Sequence, residues 1–167
     1  MKISTTLKWM QGAILLVIIV SGCTNNSNEN EVEMPEEIYP GILLEDDFPP
    51  ALVLTNSIQV NELEYIDLID GDGSEVKESD TIEVDYLGVG GASKSVFDSS
   101  FSRNQTVTFP LQAVIVGWQD GLLGVREGGR RLLVIPGALA YGDNPPPGSG
   151  IQPNETLIFL VDVIEIK

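Results

Sequence analysis

Alternating apolar and polar positions govern most of the chain beyond residue 57. Residues 63–68 read Leu63-Glu64-Tyr65-Ile66-Asp67-Leu68, and Asp70-Gly71-Asp72-Gly73 follows as a turn by composition. Over residues 81–87, Ile82, Val84 and Tyr86 alternate with Glu83 and Asp85, the period of a strand with one face buried and one in water. Residues 130–135 and 156–166 are the other strong strand patterns, and in the second Leu157, Phe159, Val161 and Val163 share a face. Between residues 87 and 130 the period changes. Ile115, Trp118 and Leu122 fall at i, i+3 and i+7, an apolar helical stripe over residues 114–123 that Gly117, Gly121 and Gly124 keep short. The pattern predicts an α+β domain, an antiparallel β-sheet curled around one short α-helix, over residues 57–167.

The first residues follow a different logic. Lys2 and Lys8 precede an apolar run of eight, residues 13–20, which is too short to span a bilayer but has the length of a signal-peptide core. Val20-Ser21-Gly22-Cys23 ends that run and resembles the bacterial lipobox. The resemblance implies cleavage after residue 22 and acylation of Cys23, a membrane anchor. By resemblance to Gram-negative lipoprotein sorting, Thr24 in place of Asp after the Cys implies the outer membrane, facing the periplasm. Residues 24–37 hold five Glu and no base, the composition of a solvated spacer. Residues 38–53 are apolar enough to lie against a domain or to continue the tether, and Pro40, Pro49 and Pro50 argue against a helix there. The expected organisation is a leader over residues 1–22, an anchored Cys and flexible tether over residues 23–56, and one domain over residues 57–167.

Composition narrows the chemistry. With 25 acidic and 9 basic side chains in 167 residues, the formal charge of −16 repels phosphate backbones and excludes nucleic acid as a partner. A single Cys and no His leave no Cys/His zinc site, no His-based catalytic triad and no internal disulfide. The Asp70–Gly73 segment is not an EF-hand, because Glu75 stands where that loop needs Gly. Gly88-Val89-Gly90 lacks the third glycine and the helix of a dinucleotide site. No metal or cofactor is expected. Arg130 and Arg131, at a strand start, are expected to place their charges in solvent.

In chain order, VDYLG (84–88), VFDSS (96–100), VIVGWQDGL (114–122), RRLLVIP (130–136), AYG (140–142) and TLIFLVDVIEI (156–166) resemble the FKBP-type peptidyl-prolyl cis-trans isomerases. The resemblance implies a sheet curled on a short helix with a groove between them. It places Trp118 as the floor beneath the substrate's proline ring and Tyr86, Phe97 and Phe159 as walls, with Val107, Val114, Ile115 and Ile151 completing the substrate-binding set. It assigns Asp98, Tyr86 and Tyr141 to the catalytic site. The Ile115 backbone N–H and the Tyr141 phenol would donate to substrate carbonyls, and Asp98, oriented by Tyr86, would act on the substrate carbonyl electrostatically without proton transfer. Val107 stands where the family often has an aromatic, and Gly150 beside Ile151 where many members have an aliphatic, so the rim is expected to be smaller.

The resemblance implies unfolded or loop Xaa-Pro polypeptides as substrates and macrolides as inhibitors. The alternative is a non-enzymatic module that holds proline-containing segments in the same groove, as a chaperone or assembly factor. Family members that dimerise do so through a long helical N-terminal domain, and a monomer is expected here.

Overall fold

The computed structural model describes residues 35–46 and 48–167, and these described residues run through nine strands and two short α-helices. They are β1 (Glu36–Tyr39), β2 (Ile42–Glu45), β3 (Ala51–Leu54), β4 (Glu64–Ile69), β5 (Thr81–Gly90), β6 (Val96–Ser99), α1 (Ser100–Arg103), β7 (Val107–Pro110), α2 (Val116–Gly121), β8 (Arg130–Ile135) and β9 (Leu157–Ile166). The leader, Cys23 and the spacer up to residue 34 lie outside the described residues.

Every strand pattern read from the sequence is a strand. They form an antiparallel sheet in the order β4-β8-β9-β5-β6, with β7 also paired to β5. The longest ladder joins β5 to β9, from Ile82 opposite Ile166 to Gly90 opposite Leu157. Because side chains alternate across a strand, each long strand serves two faces. On the front, Ile82, Val84, Leu133, Ile135, Leu157, Phe159, Val161 and Val163 pack with Trp118 of α2 and with Leu122, its C-cap. On the back, Leu87, Val89, Leu132, Val134, Ile158 and Leu160 are equally buried.

What buries the back is the segment expected to be tether. Strands β1, β2 and β3 form a second antiparallel sheet whose Ile42, Leu52 and Leu54 pack into the rear cluster, so these strands belong to one compact unit with the larger sheet. Of the tether expected over residues 23–56, the stretch from Glu36 to Leu54 is therefore part of the fold, and the domain includes residues some twenty positions before the 57 expected. The prolines that argue against a helix sit between strands. Pro40-Gly41 makes the turn from β1 to β2, and Pro49-Pro50 precede β3. Side chains fasten the two sheets: Tyr39 donates to Glu64 Oε2 at 2.8 Å, and Arg130 bridges Asp46 and Asp162.

Helix α2 is shorter than residues 114–123, but its glycines do more than limit it. A Cβ on Gly117 would lie 2.2 Å from Ile135 Cγ2, so glycine is what lets the helix sit directly on β8. The C-terminal end of α2 is held by Arg131, whose guanidinium donates to the carbonyls of Gly121 at 2.7 Å and Leu123 at 3.1 Å. Arg131 also chelates Asp67 and stacks on Tyr65, 4.3 Å from the ring centroid. Its solvent exposure is 5%, so the expectation of a solvated charge is wrong for this arginine. A cation that satisfies orphan carbonyls at a helix C-terminus is favourable both as a hydrogen-bond donor and against the helix dipole.

Candidate active site

At one end of the front face α2, β5, β6 and β9 converge on Trp118, which is 5% exposed. Tyr86 of β5 and Phe159 of β9 meet its ring nearly perpendicularly, at centroid distances of 5.4 and 5.1 Å. Phe97 of β6 meets Phe159 at 5.5 Å, again edge to face. Such pairs are favoured because a positive ring edge faces a negative ring face. The Trp118 indole N–H is buried with no hydrogen-bond partner among the described residues. Gly88, opposite Phe159 in the ladder, makes the closeness feasible, since a Cβ there would lie 2.7 Å from Phe97 Cζ.

Phe97 and Asp98 are adjacent in sequence and would face opposite sides of a regular strand. The β5–β6 register is irregular here: Asp98 opposes Gly88 and Val96 opposes Val89, leaving Phe97 unpaired. A bulge of this kind redirects a side chain. It lets the Phe97 ring join the front cluster while the Asp98 carboxylate reaches Tyr86.

Asp98 accepts from the Tyr86 hydroxyl, from Arg103 and from the Ser99 N–H at 2.8 Å. Arg103, the last residue of α1, also donates to Tyr86 Oη at 3.1 Å. Burial pushes the Asp98 carboxyl up, but the Tyr86 hydroxyl and the Arg103 guanidinium outweigh it and hold the group below the ordinary aspartate value. Burial first, then the hydrogen bond to Asp98, raise the Tyr86 phenol. Tyr141 is raised by burial and by the nearby Asp98 charge. Near neutral pH the trio is thus carboxylate, phenol and guanidinium, with no member poised to exchange a proton.

The rim is built from two turns. Ile115 is the N-cap of α2, and its N–H has no hydrogen-bond partner among the described residues; Val114 precedes it, its carbonyl accepting from Gln119 Nε2 at 2.8 Å. Tyr141 follows a single 3₁₀ turn and is 37% exposed, and no partner for its hydroxyl is found among the described residues. Ile151 is buried against the same cluster. Of the residues picked out by resemblance, the structure brings Tyr86, Phe97, Asp98, Val114, Ile115, Trp118, Ile151 and Phe159 to this site, with Tyr141 near Asp98. Val107 is half-buried on β7 opposite Val84 and is not among the residues packed on the cluster. Its neighbour Phe109, which sequence reasoning passed over, is the β7 residue that packs on Trp118, at 5.5 Å. Arg103 was also missed. It follows Asp98 by five residues, and no periodicity marks it as a partner.

The arrangement offers an apolar aromatic box with two free donors at its mouth and a fixed carboxylate on one wall. That suits binding and desolvating an amide.

Comparison with known proteins agrees. Residues 73–164 match the family model of the FKBP-type peptidyl-prolyl cis-trans isomerases. A protein of Streptomyces anulatus named FK506-binding protein is 38% identical over 137 residues, covering 81% of this chain and 98% of its own length. A probable FK506-binding protein of Corynebacterium glutamicum is 44% identical over 116 residues, 69% of this chain and 96% of that one. Among solved structures, FkpA from Escherichia coli superimposes with a TM-score of 0.58 at 40% identity, covering 63% of this chain and 48% of FkpA.

Proposed function

This chain belongs to the FKBP-type peptidyl-prolyl cis-trans isomerase family and is a prolyl isomerase, and we propose that it works from a lipid anchor at the cell envelope on exported polypeptides that are still folding. The observation that carries the isomerase reading is the aromatic box around Trp118 with the Ile115 N–H and Tyr141 hydroxyl at its mouth.

The chemistry follows from the amide. Rotation about Xaa–Pro must break resonance, a barrier of about 18–20 kcal/mol, and uncatalysed exchange takes roughly tens to hundreds of seconds. Water stabilises the planar, charge-separated form more than the twisted one. Stripping that water in an apolar box therefore lowers the barrier, and an amide hydrogen bond lost without compensation is worth about 1–3 kcal/mol, with each ~1.4 kcal/mol a factor of ten in rate. Trp118 supports the proline ring, while Tyr86, Phe97 and Phe159 exclude water around it. Ile115 N–H and Tyr141 Oη hold substrate carbonyls on either side, which favours the twisted conformer over the planar one. Asp98, locked by Tyr86 and Arg103, presents a fixed negative charge to the carbon of the rotating carbonyl. All these residues come from one chain, so a monomer suffices. The same apolar box would admit a macrolide.

The lipobox-like Val20-Ser21-Gly22-Cys23 supports anchoring, and Thr24 supports the outer membrane. Mass spectrometry of the protein recovered from envelopes tests this: an N-terminal peptide starting at acylated Cys23 is expected, and a Cys23→Ser variant should leave the membrane fraction. An intact leader, or membrane retention unchanged by Cys23→Ser, would refute the anchor.

A further inference from the structure

Glu155 stands just before β9 and is 4% exposed, yet no lysine or arginine pairs with it among the described residues. Three backbone amides hold it instead. Its Oε1 accepts the N–H of Ala92 at 3.0 Å and of Ser93 at 2.7 Å, and its Oε2 accepts the N–H of Gln152 at 2.7 Å. Burial pushes the carboxyl up, but the amides of Gln152, Ser93 and Ala92 more than offset this and keep it ionised. A buried charge survives only where its oxygens are satisfied in this way.

The donors lie on two separate pieces of the groove. Ala92 and Ser93 are in the turn from β5 into β6, the strand that carries Phe97 and Asp98. Gln152 is in the long proline-rich loop between Tyr141 and β9, next to the buried Ile151. The two segments meet again where the Gly91 N–H donates to the Thr156 carbonyl at 2.8 Å, and the loop folds on itself where the Asn154 N–H donates to the Gly142 carbonyl at 2.7 Å. Neither segment has regular structure of its own, and a loop of this length is fixed only by such ties.

We propose that Glu155 is a positioning residue that sets the width of the groove mouth, tying the β5–β6 turn to the 143–156 loop so that Phe97 and Ile151 stand at a fixed separation and select among the side chains flanking the substrate proline. The proposal rests on the isomerase reading. Glu155 does not touch the aromatic box, so its effect falls on discrimination between substrates and on KM, while the bond-rotation step is left to Asp98, Trp118 and Tyr141.

The test compares the full chain with Glu155→Gln on Xaa-Pro peptides differing only in Xaa, from Ala to Leu and Phe. Gln has the shape of Glu, but one of its two heteroatoms is an NH₂ that cannot accept, so one of the two segments is released. Measured well below the unfolding midpoint, kcat/KM for the large Xaa residues should fall about tenfold, through KM, as expected for one lost charge-assisted hydrogen bond, with the Ala-Pro peptide changed less than about twofold. Glu155→Asp, which retains the charge on a shorter arm, should recover part of the selectivity. An equal change for every peptide, or no change at all beyond a lower melting temperature, overturns the proposal. Should the variants not fold, hydrogen exchange in the wild-type chain decides: the Ala92, Ser93 and Gln152 amides should exchange in concert, and independent exchange overturns the clamp. Absence of any turnover in the wild type would instead refute isomerase activity, and dissociation constants across the same peptides would then report the selectivity.

Discussion

Replacing Ile42 by Ala probes the rear sheet, the part of the fold that composition concealed. Ile42 has no solvent exposure and packs with Leu52, Leu54, Leu132, Val134, Ile158 and Leu160. Truncating a fully buried Ile removes its apolar contacts and leaves a cavity, at a cost of about 2–5 kcal/mol. For a domain of this size each kcal/mol moves the melting temperature by roughly 3–5 °C, so the midpoint should fall by about 6–25 °C. Activity should behave differently. No residue of the aromatic box belongs to the rear cluster, so kcat/KM on a short Xaa-Pro peptide, measured well below the new midpoint, should stay within about twofold of wild type. The assays are thermal unfolding by circular dichroism and peptide exchange on the same preparation. A fall of less than about 2 °C, the result for a solvated tether, would refute the docking of β1–β3, and a large loss of low-temperature activity would refute the independence of the two faces.

Other predictions concern the site and its supports. Asp98→Val and Tyr141→Phe should each reduce turnover more than peptide affinity; equal losses would favour a binding module. Asp98→Val should cost at most about 1 kcal/mol in the ion pair itself, because Arg103 and Asp98 are 45% and 42% exposed, and chemical denaturation checks this. Arg131→Met leaves the Gly121 and Leu123 carbonyls unpaired and removes the partner of Asp67, and should destabilise the domain by roughly 2–4 kcal/mol with an unchanged m-value. Stability should also depend on pH at both extremes. Asp98 and Glu155 have depressed folded values, so their contribution is complete above the ordinary carboxylate range and lost as pH falls through those depressed values. Tyr39, raised to about 12 by burial and by its hydrogen bond to Glu64, contributes fully below its ordinary value and loses that contribution as pH rises through about 12. Denaturant midpoints that stay constant through either extreme would contradict these assignments.

The front of the molecule was legible because its signals are local. Alternation in β5 and β9 and the Ile115/Trp118/Leu122 stripe each state their own element, and the family words fix the box around them. The rear was harder to read. Leu132-Leu133-Val134-Ile135 and Leu157-Ile158-Phe159-Leu160-Val161 are continuous apolar runs, which signify strands buried on both faces and so require a second covering layer. That layer is β1–β3, whose four-residue strands are separated by prolines and flanked by glutamates, so no single window reveals them. The supports of the site are long-range. Arg131 meets the end of α2 and Asp67 only because β8 lies between them, and Glu155 reaches Ala92 and Ser93 across more than sixty positions. Phe97 and Asp98 could not both be aimed at the groove from alternation, because the bulge that turns them is a property of the β5–β6 pairing.

The central claim is that the aromatic box speeds Xaa-Pro rotation by desolvation and fixed hydrogen bonds, without a titrating acid or base. Residues 24–167, mixed in increasing amounts with a short Xaa-Pro peptide, test it by NMR exchange between pH 6 and 8. The account predicts an exchange rate proportional to protein and nearly flat with pH, since Asp98 remains ionised and Tyr86 and Tyr141 remain protonated across that range. No acceleration at micromolar folded protein, or a rate that follows a titration inside that window, would contradict it.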